Sequence, residues 1–231
     1  MTIQPASNAD REGSVVRTLT RATLLQGVGE LVERDAMLAS VVDRYGPPPL
    51  WGRPRGFATL VRIILEQQVS LASAASLFAR LRAELGAAVS PVDVQHLGVS
   101  GLQSLGFTRQ KARYVAGLAQ MLVAGDVSLE RIARLPDVEA EQALVAIPGI
   151  GPWTSGVYLL MALRRPDVWP PGDLGLHRSM AEIHGFVAIP TSAEASAFAR
   201  KWQPWRSVAA RLLWHSYLSR RSRNDLSRKP A

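Results

Sequence analysis

The chain contains no cysteine, which excludes disulfides, thiolate-bound zinc and iron–sulfur clusters together. Lysine is scarce. Of the 27 basic residues only Lys111, Lys201 and Lys229 are lysines, so arginine supplies the positive charge. No apolar run is long enough to span a bilayer, and the opening residues MTIQPASNADREG lack the apolar stretch of a secretory leader. No segment alternates apolar and polar residues as a half-buried strand would. An intracellular protein is expected, cytoplasmic or nucleoid-associated if bacterial, with no membrane association and no need of an oligomeric partner.

What is present is enough for an ordinary core: 47% of the 231 residues are apolar. The net charge of +8 favours a polyanionic partner such as nucleic acid, although abundant arginine also follows from genome composition. Apolar residues recur at helical spacing in GVGELVERDAMLASVVDRYG, FATLVRIILEQQ, LASAASLFARLRAELG, KARYVAGLAQMLVAG, AEQALVAI, SGVYLLMAL and SVAARLLWHSYL. Breaks fall at GPPPLWGRPRG, AVSPVD, IPGIGP, RRPDVWPPGD and VAIPTS. The pattern predicts an all-α protein of about ten short helices. Residues 1 to about 14 and 219–231 read as polar, frayed ends, the second basic enough to brush a phosphate backbone.

One stretch stands apart from this patterning. In LVAIPGIGPWTSG, residues 144–156, Pro148 ends one helical pattern, Gly149 and Gly151 are placed to adopt the positive φ of a tight turn, and Pro152 suits the first turn of the next helix. Such a turn aims backbone N–H groups outward and carries no side chains that would block an anion. Downstream, the Pro-rich loop WPPGDLGLHR brings Asp173 to the start of another apolar helix, where capping is the ordinary job of an aspartate. A weaker echo, LGFTRQKARYVAGLA, repeats the plan of Gly, polar turn and helix; a plain helix-packing corner explains it equally well.

The hairpin with its downstream Asp, the block LVRIILEQQVSLASAASLFARL at 60–81 and the block KWQPWRSVAARLLWHSYL at 201–218 together resemble the helix-hairpin-helix DNA glycosylase superfamily. The branch they resemble is the alkyl-purine type, 3-methyladenine glycosylase II, in a compact form without the N-terminal β-sheet domain of some members. The resemblance implies two helical lobes, residues 56–165 carrying the hairpin and residues 1–55 plus 166–231 forming the other. It implies hydrolysis of the N-glycosidic bond of an alkylated purine in duplex DNA, after the nucleotide is rotated out of the helix.

In that reading Asp173 is the catalytic carboxylate, stabilising the positive sugar and orienting or deprotonating water. An alkylated purine is already cationic and leaves without strong acid assistance, which fits a single prominent carboxylate. Trp153 occupies the position where bifunctional relatives carry a Lys nucleophile, so no lyase step is implied. Trp153 and Trp214 are expected to receive the cationic base by stacking; Trp202 and Trp205 are expected to pack the WQPWRS turn. Gln68 matches the residue that fills the gap left by the extruded base, and equally suits an exposed residue capping a helix start beside Ser70. Gly149, Ile150, Gly151, Thr154 and Arg178 are the DNA-binding candidates. No cofactor is required, but the family's hairpin implies a monovalent cation held by the main-chain carbonyls of Val145, Ile147 and Ile150. The spacing of His96, His177, His184 and His215 suggests no metal site, and surface or packing roles are expected for them. Gly175 is unusual just inside a helix start. A glycosylase for oxidised or mismatched bases is the alternative enzyme. A non-enzymatic hairpin DNA-binding module would need neither the PPGD loop nor the Trp pair.

Overall fold

The computed structural model describes residues 18–86 and 88–227, with side chains described as far as residue 221. Among them the chain is helical throughout, without a strand. The helices are α1 (Arg21–Arg34), α2 (Ala36–Tyr45), α3 (Phe57–Glu66), α4 (Leu71–Leu85), α5 (Pro91–Ser104), α6 (Arg109–Ala124), α7 (Leu129–Ile132), α8 (Asp137–Val145), α9 (Pro152–Met161), α10 (Leu174–His184), α11 (Ser192–Ala199) and α12 (Arg206–Ser227), with a 3-10 turn at Arg200–Trp202.

Local chemistry sets most of these boundaries. The stretch read as one pattern over GVGELVERDAMLASVVDRYG is two helices, because Asp35 ends α1 and its carboxylate accepts the N–H groups of Met37 and Leu38 to start α2. Ser70, Ser90, Thr108, Ser128 and Thr191 cap α4, α5, α6, α7 and α11 in the same way. Helices α5 and α11 carry little periodic signal: α5 kinks at Gly98, and α11 is built largely of Ala and Ser. The end of the chain differs from expectation. Helix α12 runs on to Ser227, and Arg220 pairs there with Glu182 and donates to Ser179 Oγ, fastening the extension to α10. Residues 1–17 and 228–231 lie outside the described residues.

The buried apolar side chains form two clusters. One gathers Phe57, Leu60, Ile63, Ile64, Leu81, Leu102, Val115, Leu144, Ile147 and Tyr158 around α3–α9. The other gathers Leu24, Leu31, Leu38, Leu176, Met180, Trp202 and Leu212 around α1, α2, α10 and α12. Backbone and arginine contacts tie them: Arg53 N–H donates to Met161 O at 3.0 Å, and fully buried Arg211 donates to Trp51 O at 2.6 Å and Leu160 O at 2.9 Å. Arg211 closes the carbonyl end of α9 and has no carboxylate partner among the described residues. Burial lowers its pKa to about 10, so it is charged at neutral pH.

The loop between α9 and α10 is held at both ends. Arg206 grips Asp167 through its backbone N–H and its guanidinium at 2.9–3.1 Å, and Ser207 Oγ exchanges 3.0 Å bonds with the Val168 backbone. Farther along, Pro170 packs onto α9 at Gly156, where a Cβ would lie 2.7 Å from Pro170 Cα. A residue with no side chain at 156 therefore sets how closely the loop, and Asp173 beyond it, approaches the helix that begins at the hairpin.

Candidate active site

Asp173 is the N-cap of α10, and its carboxylate faces three N–H donors. Oδ1 accepts from Leu176 N at 2.9 Å and from Trp214 Nε1 at 3.1 Å; Oδ2 accepts from Trp153 Nε1 at 3.0 Å. Capping and site membership therefore coincide in one side chain. Two half-buried indoles, one from the first turn of α9 and one from the middle of α12, converge on it with their N–H edges. The contact seen is thus edge-on to a carboxylate, a role beyond the stacking expected of these rings. Gly175 opens the same spot. A Cβ there would stand 3.2 Å from Asp173 Oδ1 and 3.7–3.8 Å from Tyr217 and Trp214, so its absence keeps the flank of the carboxylate clear while α10 stays regular.

His177 lies one turn beyond Asp173 and is buried, with no hydrogen-bond partner for Nε2 among the described residues. Burial pushes its pKa down, against the charge of Asp173 and the Pro190 carbonyl, which push it up. Arg178 is exposed on the same helix and forms no salt bridge among the described residues. Among these residues no group of His, Cys, Asp and Glu side chains could hold a metal ion.

The hairpin turn confirms part of the glycine reading and corrects part. Gly149 has φ +89°, and a Cβ there would fall 2.3 Å from Tyr114 Cγ, so both backbone and packing require glycine. Gly151 is at φ −91°, an ordinary value, and a Cβ there would meet nothing within 4 Å. What Gly151 keeps free is the space outside the turn. It is the N-cap of α9 without a capping side chain, and Pro152 has no N–H, so the N–H groups of Trp153 and Thr154 have no intrahelical partner. Thr154 is buried at 2% exposure, and its hydroxyl accepts from Gln67, so its side chain is turned into the protein at the start of α9. Ile147 and Ile150 are buried too, while Val145 is exposed.

Gln68 is exposed and left-handed, with φ +57°, between α3 and α4. The capping alternative falls to Ser70, whose Oγ accepts from Ser73 N. Sequence reasoning missed its neighbour. The Gln67 amide donates to Gly149 O and to Thr154 Oγ1, both at 2.9 Å, and Lys111 Nζ donates to Leu65 O at 2.7 Å and Gln67 O at 2.8 Å. The local hint is a polar pair, Gln67–Gln68, following a largely apolar helix. In the echo turn a Cβ on Gly106, at φ +99°, would lie 2.9 Å from Arg80 Nη1, so its flank is already covered by a guanidinium. Trp202 and Trp205 are core residues, donating from Nε1 to Asp35 at 2.8 Å and to Glu30 at 2.5 Å.

Residues 61–204 match the family model of the HhH-GPD superfamily base excision DNA repair proteins. A DNA-3-methyladenine glycosylase of Bacillus subtilis is 28% identical over 196 residues, covering 80% of this chain and 65% of the relative. DNA-3-methyladenine glycosylase 1 of Schizosaccharomyces pombe is 26% identical over 209 residues, covering 89% and 90%. The first two relatives, both from Bacillus subtilis, are thus spanned over 65% of their own length. The structure of a Schizosaccharomyces pombe 3-methyladenine DNA glycosylase in complex with abasic DNA superposes with a TM-score of 0.71 at 24% identity, over 82% of this chain and 95% of that one, which establishes a common fold.

Proposed function

The chain belongs to the HhH-GPD superfamily of base excision DNA repair proteins, and on that premise we propose that it is a DNA glycosylase that removes alkylated purines from duplex DNA and leaves an abasic site. The observation that carries this reading is the Asp173 carboxylate held between the indole N–H groups of Trp153 and Trp214. Oδ1 already accepts two hydrogen bonds and Oδ2 only one, so Oδ2 keeps the greater capacity to face a reacting sugar or a water. In hydrolysis the bond from C1′ to the purine nitrogen breaks with its electron pair going to the base, which neutralises the positive charge of an alkylated purine. Water oxygen then bonds to C1′, and its proton passes by way of Asp173 to solvent.

Binding fits the same surface. The N–H groups at the start of α9, which have no partner among the described residues, and the open flank at Gly151 suit a DNA phosphate, and the indole faces suit a cationic base. A monovalent cation at the hairpin is part of the proposal. The carbonyls of Val145 and Ile150 accept no hydrogen bond among the described residues, and Ile147 O accepts one, from Ile150 N at 3.0 Å, so lone pairs remain at the negative end of α8. A single hydrolytic activity without lyase chemistry is proposed because Trp153 offers no amine, Lys111 is engaged by two carbonyls and Lys201 by Asp35.

A panel of duplexes, each with one defined lesion, tests both halves. Strand breaks are expected at 3-methyladenine and 7-methylguanine only after alkali, with no borohydride-trapped adduct. Release of oxidised or mismatched bases alone, or of none, would overturn the substrate assignment; a trapped adduct would overturn the purely hydrolytic one.

A further inference from the structure

Gln67, at the Gln68 turn, lies 82 residues from Gly149 of the hairpin, yet its side chain fastens the two turns together, and Lys111 holds the Gln67 end of that tie to α6. Helix α3 ends beside Gln68 with carbonyls that need donors. Lys111, reaching from α6, supplies them, donating to Leu65 O and Gln67 O. The amide of Gln67 points the other way and spends both N–H groups on the hairpin, at Gly149 O and Thr154 Oγ1. Helix α6 also supplies Tyr114, which packs against the bare Cα of Gly149. Gln68 itself holds a left-handed backbone that a non-glycine residue adopts only when its surroundings impose it.

We propose that Gln67 and Lys111 are positioning residues that make the Gln68 turn and the phosphate-facing hairpin one rigid unit, so that gripping the DNA backbone and inserting Gln68 into the duplex are a single event. The inference rests on the glycosylase reading above and assigns roles to two residues that the reaction chemistry does not use. The coupling works in duplex only. Once the hairpin has docked, Gln68 stands at a fixed offset from the gripped phosphate, and the loss of either tie lets the turn relax toward an ordinary backbone and lag behind. Chemistry at Asp173 stays intact, because neither side chain touches the carboxylate or the indoles.

Single-turnover excision by Gln67→Met and Lys111→Gln is compared on one alkylated purine in two settings: paired with its normal partner, and opposite an abasic site, where no pair must be broken. Loss of about tenfold to a hundredfold is expected on the paired lesion, with little loss opposite the abasic site. Lys111→Arg, which keeps the donors, should recover most of the rate. Gln68→Ala should show the same selectivity, and Gln67→Met combined with Gln68→Ala should be no worse than the poorer single variant, because Gln67 acts through Gln68. Equal losses in both settings, additive losses in the double variant, or no loss overturn the proposal while leaving the glycosylase reading in place. A wild-type protein inactive in both settings overturns the two together. Should Gln67→Met fail to fold, Lys111→Gln with Gln68→Ala completes the same cycle.

Discussion

At Asp173 one side chain both starts a helix and carries the proposed chemistry, so a substitution has to separate the two. Asp173→Asn retains an oxygen for the Leu176 N–H while removing the charge, and excision should fall by roughly a hundredfold or more with DNA affinity nearly unchanged. Trp153→Phe and Trp214→Phe keep an aromatic face but delete one N–H donor each. Their rates should therefore fall by about tenfold while stacking persists, and Trp214→Ala, losing both, should be worse than Trp214→Phe. Single-turnover rates beside affinities for damaged duplex check each step; Trp214→Phe matching wild type would show that the hydrogen bond to the carboxylate is idle. Asp173 and Trp153 were legible because they sit in a local motif that resembles a known family, an acid after a Pro-rich loop and an indole two residues past Gly151, whereas Trp214 was legible only through the resemblance of the 201–218 block. Gln67 and Lys111 were not, since their partners lie 82 and 46 residues away and a carbonyl acceptor has no side-chain signature.

Glycines that look alike in a motif do different work in the elements they join. Gly149 turns the chain at φ +89° against Tyr114, whereas Gly151 opens α9 at φ −91° with empty space where a side chain would be. Gly149→Ala should destabilise the fold by about 2–4 kcal/mol, combining left-handed strain with overpacking of the Tyr114 ring. Gly151→Val should leave stability within about 1 kcal/mol, since surface changes of this kind are small, and weaken damaged and undamaged duplex alike, because a phosphate contact holds the protein without reading a base. Urea unfolding and duplex affinity for both variants decide this: equal destabilisation, or undisturbed binding by Gly151→Val, contradicts the division. Periodicity exposed the long amphipathic helices but passed over α5 and α11, where a glycine kink and a run of small residues dilute the apolar stripe. It also joined α1 to α2, because Asp35 interrupts backbone geometry without interrupting the apolar pattern.

Across the whole molecule, the cluster of α1, α2, α10 and α12 contains a second carboxylate that no motif announces. Asp35, buried, starts α2 and accepts from His184 at 3.2 Å, Trp202 at 2.8 Å and Lys201 at 3.0 Å, so it joins α2, the end of α10 and the 3-10 turn before α12. Helix α10 is thus anchored at its far end by Asp35 and begins at Asp173. Burial pushes the Asp35 carboxyl upward, but the bonds from His184, Trp202 and Lys201 outweigh burial and hold it well below the usual carboxylate range. A depressed folded-state value means that the charged form stabilises the fold fully above the ordinary carboxylate pKa of about 3.9, and that this contribution is lost as pH falls toward the folded value. Unfolding free energy measured from pH 6 down to pH 2 should therefore drop more steeply for the wild type than for Asp35→Asn, which should be the less stable of the two at pH 6. The difference between them should shrink below about pH 4, where the unfolded wild type takes up a proton that the folded wild type resists. Parallel curves would mean that Asp35 acts through shape alone, and its hydrogen-bonded charge would then have no part in holding α10 beneath the site.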